Sequence, residues 1–600
     1  MPWGLPRRVP RSAERHGPLA TVALALALST ATVLSPAPAY ADTFTVNQTA
    51  DSHDALSADE LCDSDLGAPG RQCTLRAAVE QANSLAGEHT IELPAGTYEY
   101  DLEGPDVTAA LTVRGAGAAR TTITHAPSSA GVRLFTVNGN GPDPDGALDL
   151  RDVTLTGANN DCCLEFGGAI VNEGTLIVRR SVIAGNRITN GVGGAIYSGV
   201  GLSPGTDPSL IVLDSTIGDP AGGEAANRAK DGAGIYNDGG DLTIRRSEVV
   251  GNLTFSAFVY SFPDPPSASD LNRVGGGLRS LAGSDDRTLI ADSTIAGNSS
   301  HRGSALFLTG PGTHRVERTT ISGNTARAGT VISFSPLELV NSTVSGNVAE
   351  DMDGATGNLS GVGFDGGSGS TIFHVTFADN TPGPGFAADV RTSVAGVTAK
   401  SSIFASPSNL SCEGGSPLES NGFNIERPGN SCGLDRRSDR PATDPLLLPL
   451  ADNGGPTLTH ALRPRSPAVG AADRGDHPAA DQRGAPRGFD VGAYELVRCA
   501  GVIVNHVGTP GRDRIVGTAG RDGIVGLAGA DVIRSKGGRD GVCAGAGKDT
   551  VAGGGGKKDK LLGQAGRDVL RGGSGRRDLC HGGPGRDRAD RSCERTRAIP

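Results

Sequence analysis

The stretch GGAIVNEGTLIVRRSVIAGN, residues 167–186, decides the fold because related stretches recur along the middle of the chain. The copies close on Gly-Asn, and the endings at Asn298, Asn324 and Asn347 follow one another after 26 and 23 residues. A period of this length, with short apolar runs broken by glycine and asparagine, is the signature of a solenoid. The other copies are GAGIYNDGGDLTIRRSEVVGN (232–252), GGGLRSLAGSDDRTLIADSTIAGN (275–298), RGSALFLTGPGTHRVERTTISGN (302–324), LELVNSTVSGN (337–347) and the weaker STIFHVTFADN (370–380).

Each copy holds three short apolar runs that we expect to form strands. In GGAI the glycines allow a tight corner, while the alanine and isoleucine point inward. The closing Gly-Asn supplies a residue that tolerates the left-handed conformation at another corner. Asparagine should stack on asparagine and isoleucine on isoleucine between coils, because no single coil can bury its apolar face alone.

The GGAI copies resemble the repeats of polymorphic outer-membrane adhesins and, more broadly, the pectate-lyase-like right-handed parallel β-helix. The resemblance implies an all-β fold with a β-helical body over residues 88–406. Insertions such as FSAFVYSFPDPPSASD, residues 255–270, should leave one face of the helix as loops. Loops of this kind often form the binding face of a protein.

Composition agrees with this interpretation and excludes one class of partner. Aromatic residues make up only 4% of the chain, and small β-branched residues carry much of the apolar content. The net charge is −11, yet the segment from Gly508 onward carries 19 basic against 11 acidic side chains. An acidic body with a basic tail is not the pattern of a nucleic-acid-binding protein, so we expect no nucleic-acid partner.

The N-terminal residues predict export. Four arginines precede the apolar run PLATVALALALSTATVL, residues 18–34, and Ala39 and Ala41 then form a small-residue cleavage site. This arrangement predicts a signal peptide over residues 1–41 in an exported, bacterial-type protein. No later stretch predicts a membrane span. The four arginines are Arg7, Arg8, Arg11 and Arg15.

A leader over residues 42–87 precedes the solenoid. Its stretch CTLRAAVEQAN, residues 73–83, predicts a short helix with Thr74 as N-cap and one apolar face. These residues resemble the bacterial CSLREA leader, which implies a helix that plugs the first coil. Ala77 stands where that motif has glutamate, so the capping box is incomplete.

A closing region over residues 407–498 follows the solenoid. Its stretches LADNGGPTLTHALRPRSPAVGAA, residues 450–472, and DQRGAPRGFDVGAYE, residues 481–495, resemble the choice-of-anchor Q domain. This resemblance covers residues 444–495. It implies surface or extracellular placement and no particular reaction.

Ten cysteines in an exported chain indicate disulfides. Cys62 and Cys73 are close enough in sequence to pair, and so are Cys412 and Cys432. The adjacent Cys162 and Cys163 form either a strained vicinal ring or bonds to distant partners. Metal binding is the weaker alternative, because the CxxC spacing of zinc sites is missing. Several pairings stay open for Cys499, Cys543, Cys580 and Cys593.

The C-terminal segment, residues 499–600, has a different period. Aspartates recur every nine or ten residues, most with a glycine two residues before and an apolar residue two residues after. A flexible linker has no reason to keep this phase. The aspartates are Asp513, Asp522, Asp531, Asp540, Asp549, Asp559, Asp568, Asp578 and Asp587.

This pattern resembles the hemolysin-type (RTX) nonapeptide, which implies a small parallel β-roll that binds calcium (Ca2+). The resemblance makes the nine aspartates the metal ligands, with those of alternate repeats stacked above one another. Two departures leave a metal-free, Arg–Asp-laced roll as an alternative: the second glycine is often absent, and a cation precedes most aspartates. These cations are Arg512, Arg521, Arg539, Lys548, Lys558, Arg567, Arg577 and Arg586.

No catalytic constellation is evident. The body offers the carboxylates of Asp161, Glu165, Asp231 and Asp238. Asp231 and Asp238 flank the GAGIYN strand at expected turns, where aspartate commonly caps its own backbone. Three histidines of the body, His301, His314 and His374, fall in different coils and share no motif. The sequence therefore predicts an exported calcium-binding protein acting as a surface adhesin or structural protein, with an extracellular glycan or cell-surface ligand as partner. The alternative, by fold analogy alone, is a polysaccharide lyase or glycoside hydrolase.

Overall fold

The computed structural model describes residues 41–56, 59–126, 133–139, 146–160, 166–201, 207–254, 273–349, 359–408 and 410–599. All of them belong to one compact unit spanning residues 40–600. The predicted signal peptide before Ala41, the loop 255–270, Asp161, Glu165 and the Cys162–Cys163 pair lie outside the described residues.

The body is the predicted parallel β-helix. Each full coil visits four parallel sheets in turn, and every strand pairs with the equivalent strands of the coils before and after it. Sheet 1 contains Thr43–Thr45, Glu88–Leu93, Ala110–Gly115, Ala147–Arg151, Thr175–Arg179, Ser209–Leu213, Asp241–Arg245, Arg287–Ala291, Thr313–Glu317, Leu337–Val340, Thr371–Phe373, Thr398–Lys400 and Glu419–Ser420.

The other three sheets follow sheet 1 around each coil. Sheet 2 contains Gly96–Tyr100, Thr121–His125, Thr154–Leu155, Val182–Ile183, Thr216–Gly218, Glu248–Val250, Thr294–Ala296, Thr320–Ser322, Thr343–Ser345, Thr376–Ala378, Ile403–Ala405 and Ile425–Glu426. Sheet 3 is shorter and contains Asn159–Asn160, Arg187–Ile188, Arg228–Ala229, Leu253–Thr254, Ser299–Arg302, Thr325–Ala328 and Val348–Ala349. Sheet 4 contains Asp106–Val107, Phe135–Val137, Ile170–Asn172, Ile196–Gly199, Ile235–Asp238, Leu278–Leu281, Leu306–Thr309, Val331–Ser333, Val362–Phe364, Val390–Thr392 and Cys412–Gly414.

The parallel pairing extends beyond residue 406. Cys412–Gly414, Glu419–Ser420 and Ile425–Glu426 add one further coil to sheets 4, 1 and 2. This coil lacks the GGAI pattern, and the disulfide Cys412–Cys432 lies within it. The apolar core inside the coils is continuous from the N-terminal strand to Leu434.

A column of buried asparagines joins the coils, as the closing Gly-Asn of each repeat predicts. Each side-chain amide donates to the Oδ1 atom of the asparagine in the next coil, at 2.9–3.1 Å. The glycine before the asparagine takes the left-handed conformation, as in Gly297 with φ 64°. The column contains Asn186, Asn227, Asn252, Asn298, Asn324, Asn347 and Asn380.

The predicted helix covers the first coil. It spans Leu75–Ser84, and the Thr74 hydroxyl caps it by accepting the Ala77 amide at 3.1 Å. Its apolar face belongs to the same core as the coils below. Ala77 has no side chain that could return a hydrogen bond to Thr74, so only one half of the capping box is made. Ala77 is fully buried, so the first turn of the helix is close-packed. The disulfide Cys62–Cys73 closes the segment in front of the helix.

The closing region folds back along sheet 2. The Gln482 side chain bonds to the hydroxyls of Thr320 and Thr343, at 2.8 and 2.6 Å. The Arg487 guanidinium donates to Asn341 Oδ1 at 2.6 Å. Arg483 is fully buried, paired with Asp481 at 2.9 Å. This region also has a hairpin of Leu447–Ala451 and Thr459–Leu462 and a second hairpin of Arg498–Cys499 and Val502–Ile503.

The C-terminal segment is a roll of two parallel sheets, as predicted. One sheet contains His506–Val507, Gly523–Val525, Gly541–Gly547, Lys560–Gly566, Leu579–His581 and Arg595–Arg597. The other contains Arg514–Val516, Val532–Arg534, Thr550–Ala552, Val569–Arg571 and Arg588–Ala589. Of the pairings left open by sequence, the structure has Cys499–Cys543 and Cys580–Cys593.

Replacing Asn298 tests the asparagine column. Asn298→Ala leaves the backbone and side-chain amides of Asn252 without the acceptor that they share, at 3.0 and 2.9 Å. Because buried donors without partners are costly, we expect a loss of about 3 kcal/mol in the free energy of opening of the neighbouring coils. Hydrogen exchange measures this loss. The control is Asn421→Ala at an exposed position, expected within about 0.5 kcal/mol of wild type. Equal effects of the two variants would contradict a role for the column.

Candidate metal centre

The aspartates of the roll form two columns. A coil contains two nonapeptides, so alternate aspartates stack, as the sequence predicts. One column holds Asp513, Asp531, Asp549, Asp568 and Asp587, and the other holds Asp522, Asp540, Asp559 and Asp578. In each column the backbone amide of one aspartate donates to the Oδ1 atom of the next, at 2.9–3.0 Å.

The second carboxylate oxygen is unsatisfied in most of these residues. Eight of the aspartates are at most 4% exposed, and in seven of these eight the Oδ2 atom has no hydrogen-bond partner. Buried polar atoms are almost always bonded, so an oxygen left alone at seven equivalent positions points to a missing ligand. The seven are Asp531, Asp540, Asp549, Asp559, Asp568, Asp578 and Asp587.

Glycine shapes the turns around these oxygens. A Cβ atom on Gly563 would lie 2.4 Å from Asp568 Oδ2, and one on Gly582 would lie 2.2 Å from Asp587 Oδ2. Several glycines two residues before an aspartate also stack closely: a Cβ atom on Gly547 would lie 1.6 Å from the carbonyl oxygen of Gly529. The turns therefore hold carboxylate and carbonyl oxygens in a space that a side chain would fill.

The pKa values of the aspartates follow this environment. Desolvation raises the pKa of Asp559 to about 6, outweighing the hydrogen bond that its carboxylate accepts from the Asp540 amide. Asp522 differs from these residues. Desolvation would raise its pKa, but hydrogen bonds from Asn505 and Thr518 outweigh desolvation and lower that pKa. Burial also raises the pKa of Asp531, Asp540, Asp549, Asp568 and Asp578.

The cations beside the aspartates do not neutralise them. All eight arginine and lysine side chains that precede an aspartate are exposed. Among residues 499–599, the one ion pair to an aspartate is His506 Nε2 to Asp522 Oδ1, at 3.4 Å. The Arg–Asp lacing of the metal-free alternative is therefore not what the described roll contains.

The residues present fit calcium. It is a hard cation that takes carboxylate, carbonyl and water oxygens, and the roll turns offer buried carboxylate oxygens beside backbone carbonyls. No group of three or more His, Cys, Asp or Glu side chains forms among the described residues. Each ion would thus take the rest of its ligands from the backbone or from water. A bound cation would supply the counter-charge that the Oδ2 atoms lack.

An apolar column and the disulfide Cys580–Cys593 hold the roll from inside. The residue two positions after each aspartate points into the core, as the pattern predicts. Cys580 takes this position in a late repeat and bonds to Cys593. The core column contains Ile524, Ile533, Val542, Val551, Leu561, Leu570 and Cys580, with Ile515 partly buried.

The other titratable residues singled out in the sequence do not converge. Asp231 binds Arg279 at 3.0 Å, and Asp238 accepts the Tyr197 hydroxyl at 3.1 Å. Burial lowers the pKa of His314 to about 4 and that of His374 to about 2, so both are neutral. Burial also lowers the pKa of His301.

Sequence reasoning missed a cleft of about 460 Å³ between sheet 1 and the closing region. Lys400 Nζ lies there, 2.7 Å from Asp473 Oδ2 and 2.8 Å from Asp476 Oδ2. Arg315 and Glu338 form a further pair on its wall. No local signal could have found this cleft, because its residues come from segments that are far apart in sequence.

Comparison with known proteins identifies the roll. Residues 507–542 and 553–589 match the RTX calcium-binding nonapeptide repeat, in four copies. Such repeats bind calcium, and together with disulfides they are typical of extracellular proteins. Within the described residues, no helix has the length and apolar character needed to cross a membrane.

The comparison with solved structures finds only distant similarity, and the comparison with curated proteins finds none. The chain is similar to the PL6 family alginate lyase AlyGC, with 10% identity and a TM-score of 0.31 over 87% of this chain and 74% of that one. It is also similar to the pectate lyase Pel9A, with 13% identity and a TM-score of 0.32 over 76% of this chain and 96% of that one. No curated protein matches it.

Without calcium, the roll should gain stability as the pH falls. The raised pKa values mean that the folded roll binds protons more tightly than the unfolded chain does, so stability is greatest below the ordinary pKa of aspartate, about 4. It is lost as the pH rises through the raised values, of which that of Asp559 is about 6. Hydrogen exchange of residues 527–587 in EDTA should show more protection at about pH 4 than at about pH 8. Greater protection at the higher pH would contradict this account.

Gly547→Ala should unfold the middle of the roll. The new Cβ atom would clash with the Gly529 carbonyl, and Gly547 has a φ of 139°, which disfavours alanine. We expect a loss of about 3 kcal/mol, measured by thermal unfolding of the roll in calcium. Gly555→Ala is the matched control in the same roll, because its nearest neighbour, Ser574 Oγ, would be 3.7 Å away. Equal melting of the two variants would contradict the close stacking.

Proposed function

We propose that this protein is an exported β-helix protein that acts as a surface adhesin or structural binding protein, with a C-terminal roll that folds around calcium. The observation that supports this function best is the set of seven buried, unpartnered Oδ2 atoms in the roll. A carboxylate buried in this way is unfavourable unless a cation or proton neutralises it. Calcium at extracellular concentrations supplies that charge, so export and folding are linked.

The calcium ligands in this proposal are aspartates of the nonapeptide turns. The nine predicted residues stand at equivalent positions in two columns, and the backbone carbonyls of the glycine turns stack beside them. The disulfide Cys499–Cys543 ties the entrance of the roll to its third strand on one side. This crosslink favours a compact roll whether or not calcium is bound.

The β-helix would present the ligand-binding surface. Its leader and closing region, which resemble the CSLREA and choice-of-anchor Q domains, cover its first coil and sheet 2 of its later coils. The proposed partner is an extracellular glycan or cell-surface ligand that contacts loops leaving the coils. In this view the roll is a stable calcium-loaded end of the molecule and performs no chemistry.

A polysaccharide lyase or hydrolase is the second candidate, and the cleft at Lys400 is the feature that favours it. The cleft combines Arg315, Glu338, Lys400 and Asp476. Desolvation would lower the pKa of Lys400, but hydrogen bonds to Asp473 and Asp476 outweigh it and raise that pKa. A lysine held as a cation is a poor base, which favours binding of an anion over proton abstraction.

Calcium removal tests the proposed function on the full chain. With EDTA at neutral pH, residues 527–587 should lose hydrogen-exchange protection at least tenfold, while the asparagine column of the β-helix keeps its protection. The calcium-free and calcium-bound forms are then compared for retention on columns of acidic and neutral polysaccharides. Unchanged protection of the roll in EDTA would contradict calcium-linked folding.

An assay of sugar release by the full chain distinguishes the two candidate functions. Incubation with acidic polysaccharides should release no unsaturated or reducing sugar, as measured by absorbance and reducing-end assays. Sustained release that is abolished by Lys400→Ala and kept by Arg436→Ala, a change at an exposed arginine outside the cleft, would establish the enzyme instead.

A further inference from the structure

The nine aspartates of the roll fall into two groups, and the difference lies in the turn before each one. Seven turns have a residue in the left-handed conformation four or five positions before the aspartate. These are the same seven aspartates whose Oδ2 atoms lack a partner. The left-handed residues are Leu527 (φ 76°), Lys536 (70°), Gly545 (114°), Gly554 (89°), Gln564 (69°), Gly573 (101°) and Gly583 (103°).

The first two turns are built differently. Thr509 and Thr518 stand four positions before Asp513 and Asp522, and neither has a positive φ. The Thr509 amide donates to Asp513 Oδ2 at 2.6 Å, and the Thr509 hydroxyl donates to the same carboxylate at 3.0 Å. The Thr518 amide donates to Asp522 Oδ2 at 2.7 Å, and the Thr518 hydroxyl donates at 3.0 Å.

The side chain of threonine explains the change of turn. A β-branched residue is strongly disfavoured in the left-handed conformation, which glycine adopts freely and unbranched residues adopt at a cost. With Thr518 in the extended or right-handed region, its amide faces the carboxylate of Asp522. The oxygen that is unpartnered in the later repeats is therefore already bonded to protein donors in the first two.

We propose that threonine replaces calcium in the first coil of the roll, and that calcium is bound only from Asp531 onward. This inference rests on the proposed role of calcium in the roll. The first coil would then be folded without metal. The Asp522 amide donates to Asp540 Oδ1 at 3.0 Å, so the first coil offers a preformed edge on which the calcium-bound coils stack.

The junction with the closing region supports a metal-free first coil. Arg483, fully buried in the closing region, donates to the Val504 carbonyl at 3.2 Å. Asn505 donates to Asp522 Oδ1 at 2.9 Å and accepts the Gly523 amide at 2.9 Å. The coil is thus held on its open side by protein contacts with the segment before it.

Paired variants of the full chain test this inference. Calcium bound per chain is measured by equilibrium dialysis for wild type, for Asp513→Asn with Asp522→Asn, and for Asp540→Asn with Asp549→Asn. The first pair should keep the wild-type count, and the second should lose at least one ion per chain. In EDTA, amides of residues 509–522 should keep at least tenfold more hydrogen-exchange protection than those of residues 540–587 in the wild type.

A gain-of-binding variant makes the test sharper. Thr509→Gly with Thr518→Gly gives these turns the left-handed glycine that four of the later turns have and frees the two carboxylates, so it should raise the calcium count above that of wild type. Loss of calcium in the Asp513 and Asp522 pair, or no gain in the threonine pair, would overturn the inference. A wild type that binds no calcium would instead overturn the proposed function. Protection of the β-helix amides shows that each variant is folded.

Discussion

Both solenoids in this chain depend on one interaction. The backbone amide of a buried residue donates to the side-chain Oδ1 atom of the equivalent residue in the next coil. In the β-helix that side chain is asparagine, as for the Asn298 amide and Asn324 at 3.0 Å. In the roll it is aspartate, as for the Asp531 amide and Asp549 at 2.9 Å. The bond fixes the register of successive coils, and the rest of each coil is built around it.

The two columns differ in what remains after that bond is made. Asparagine has a second group, Nδ2, which donates to the same Oδ1 atom in the next coil and to a backbone carbonyl, as Asn298 does. Aspartate has a second acceptor and a negative charge, which no donor in the later roll turns satisfies. The polar groups of the asparagine column are therefore bonded within the protein, whereas the aspartate carboxylates of the roll need a cation or protons to neutralise them. The same geometry thus gives one solenoid that needs no ion and one that, as we propose, folds around calcium.

The sequence predicts those features that repeat with a period. The asparagine column, the aspartate columns and the apolar line from Ile524 to Leu570 each follow from spacing alone. Contacts between segments far apart in sequence have no periodic signal. The fold-back of Gln482 onto Thr343 and the cleft at Lys400 are of this kind, as is the pairing Cys499–Cys543, whose cysteines are 44 residues apart. The sequence shows which roll turns lack a glycine, but it does not show how the backbone of each turn responds. Leu527 and Gln564 still adopt the left-handed conformation, and Thr518 does not.

Anomalous diffraction from crystals grown in calcium tests the central claim most directly, since it shows where the ions lie. We expect peaks along both columns, within about 2.6 Å of the Oδ2 atoms from Asp531 to Asp587. Peaks should be absent beside Asp513 and Asp522, whose carboxylates are bonded to threonine. An ordered roll with no anomalous peak at these oxygens would contradict the account.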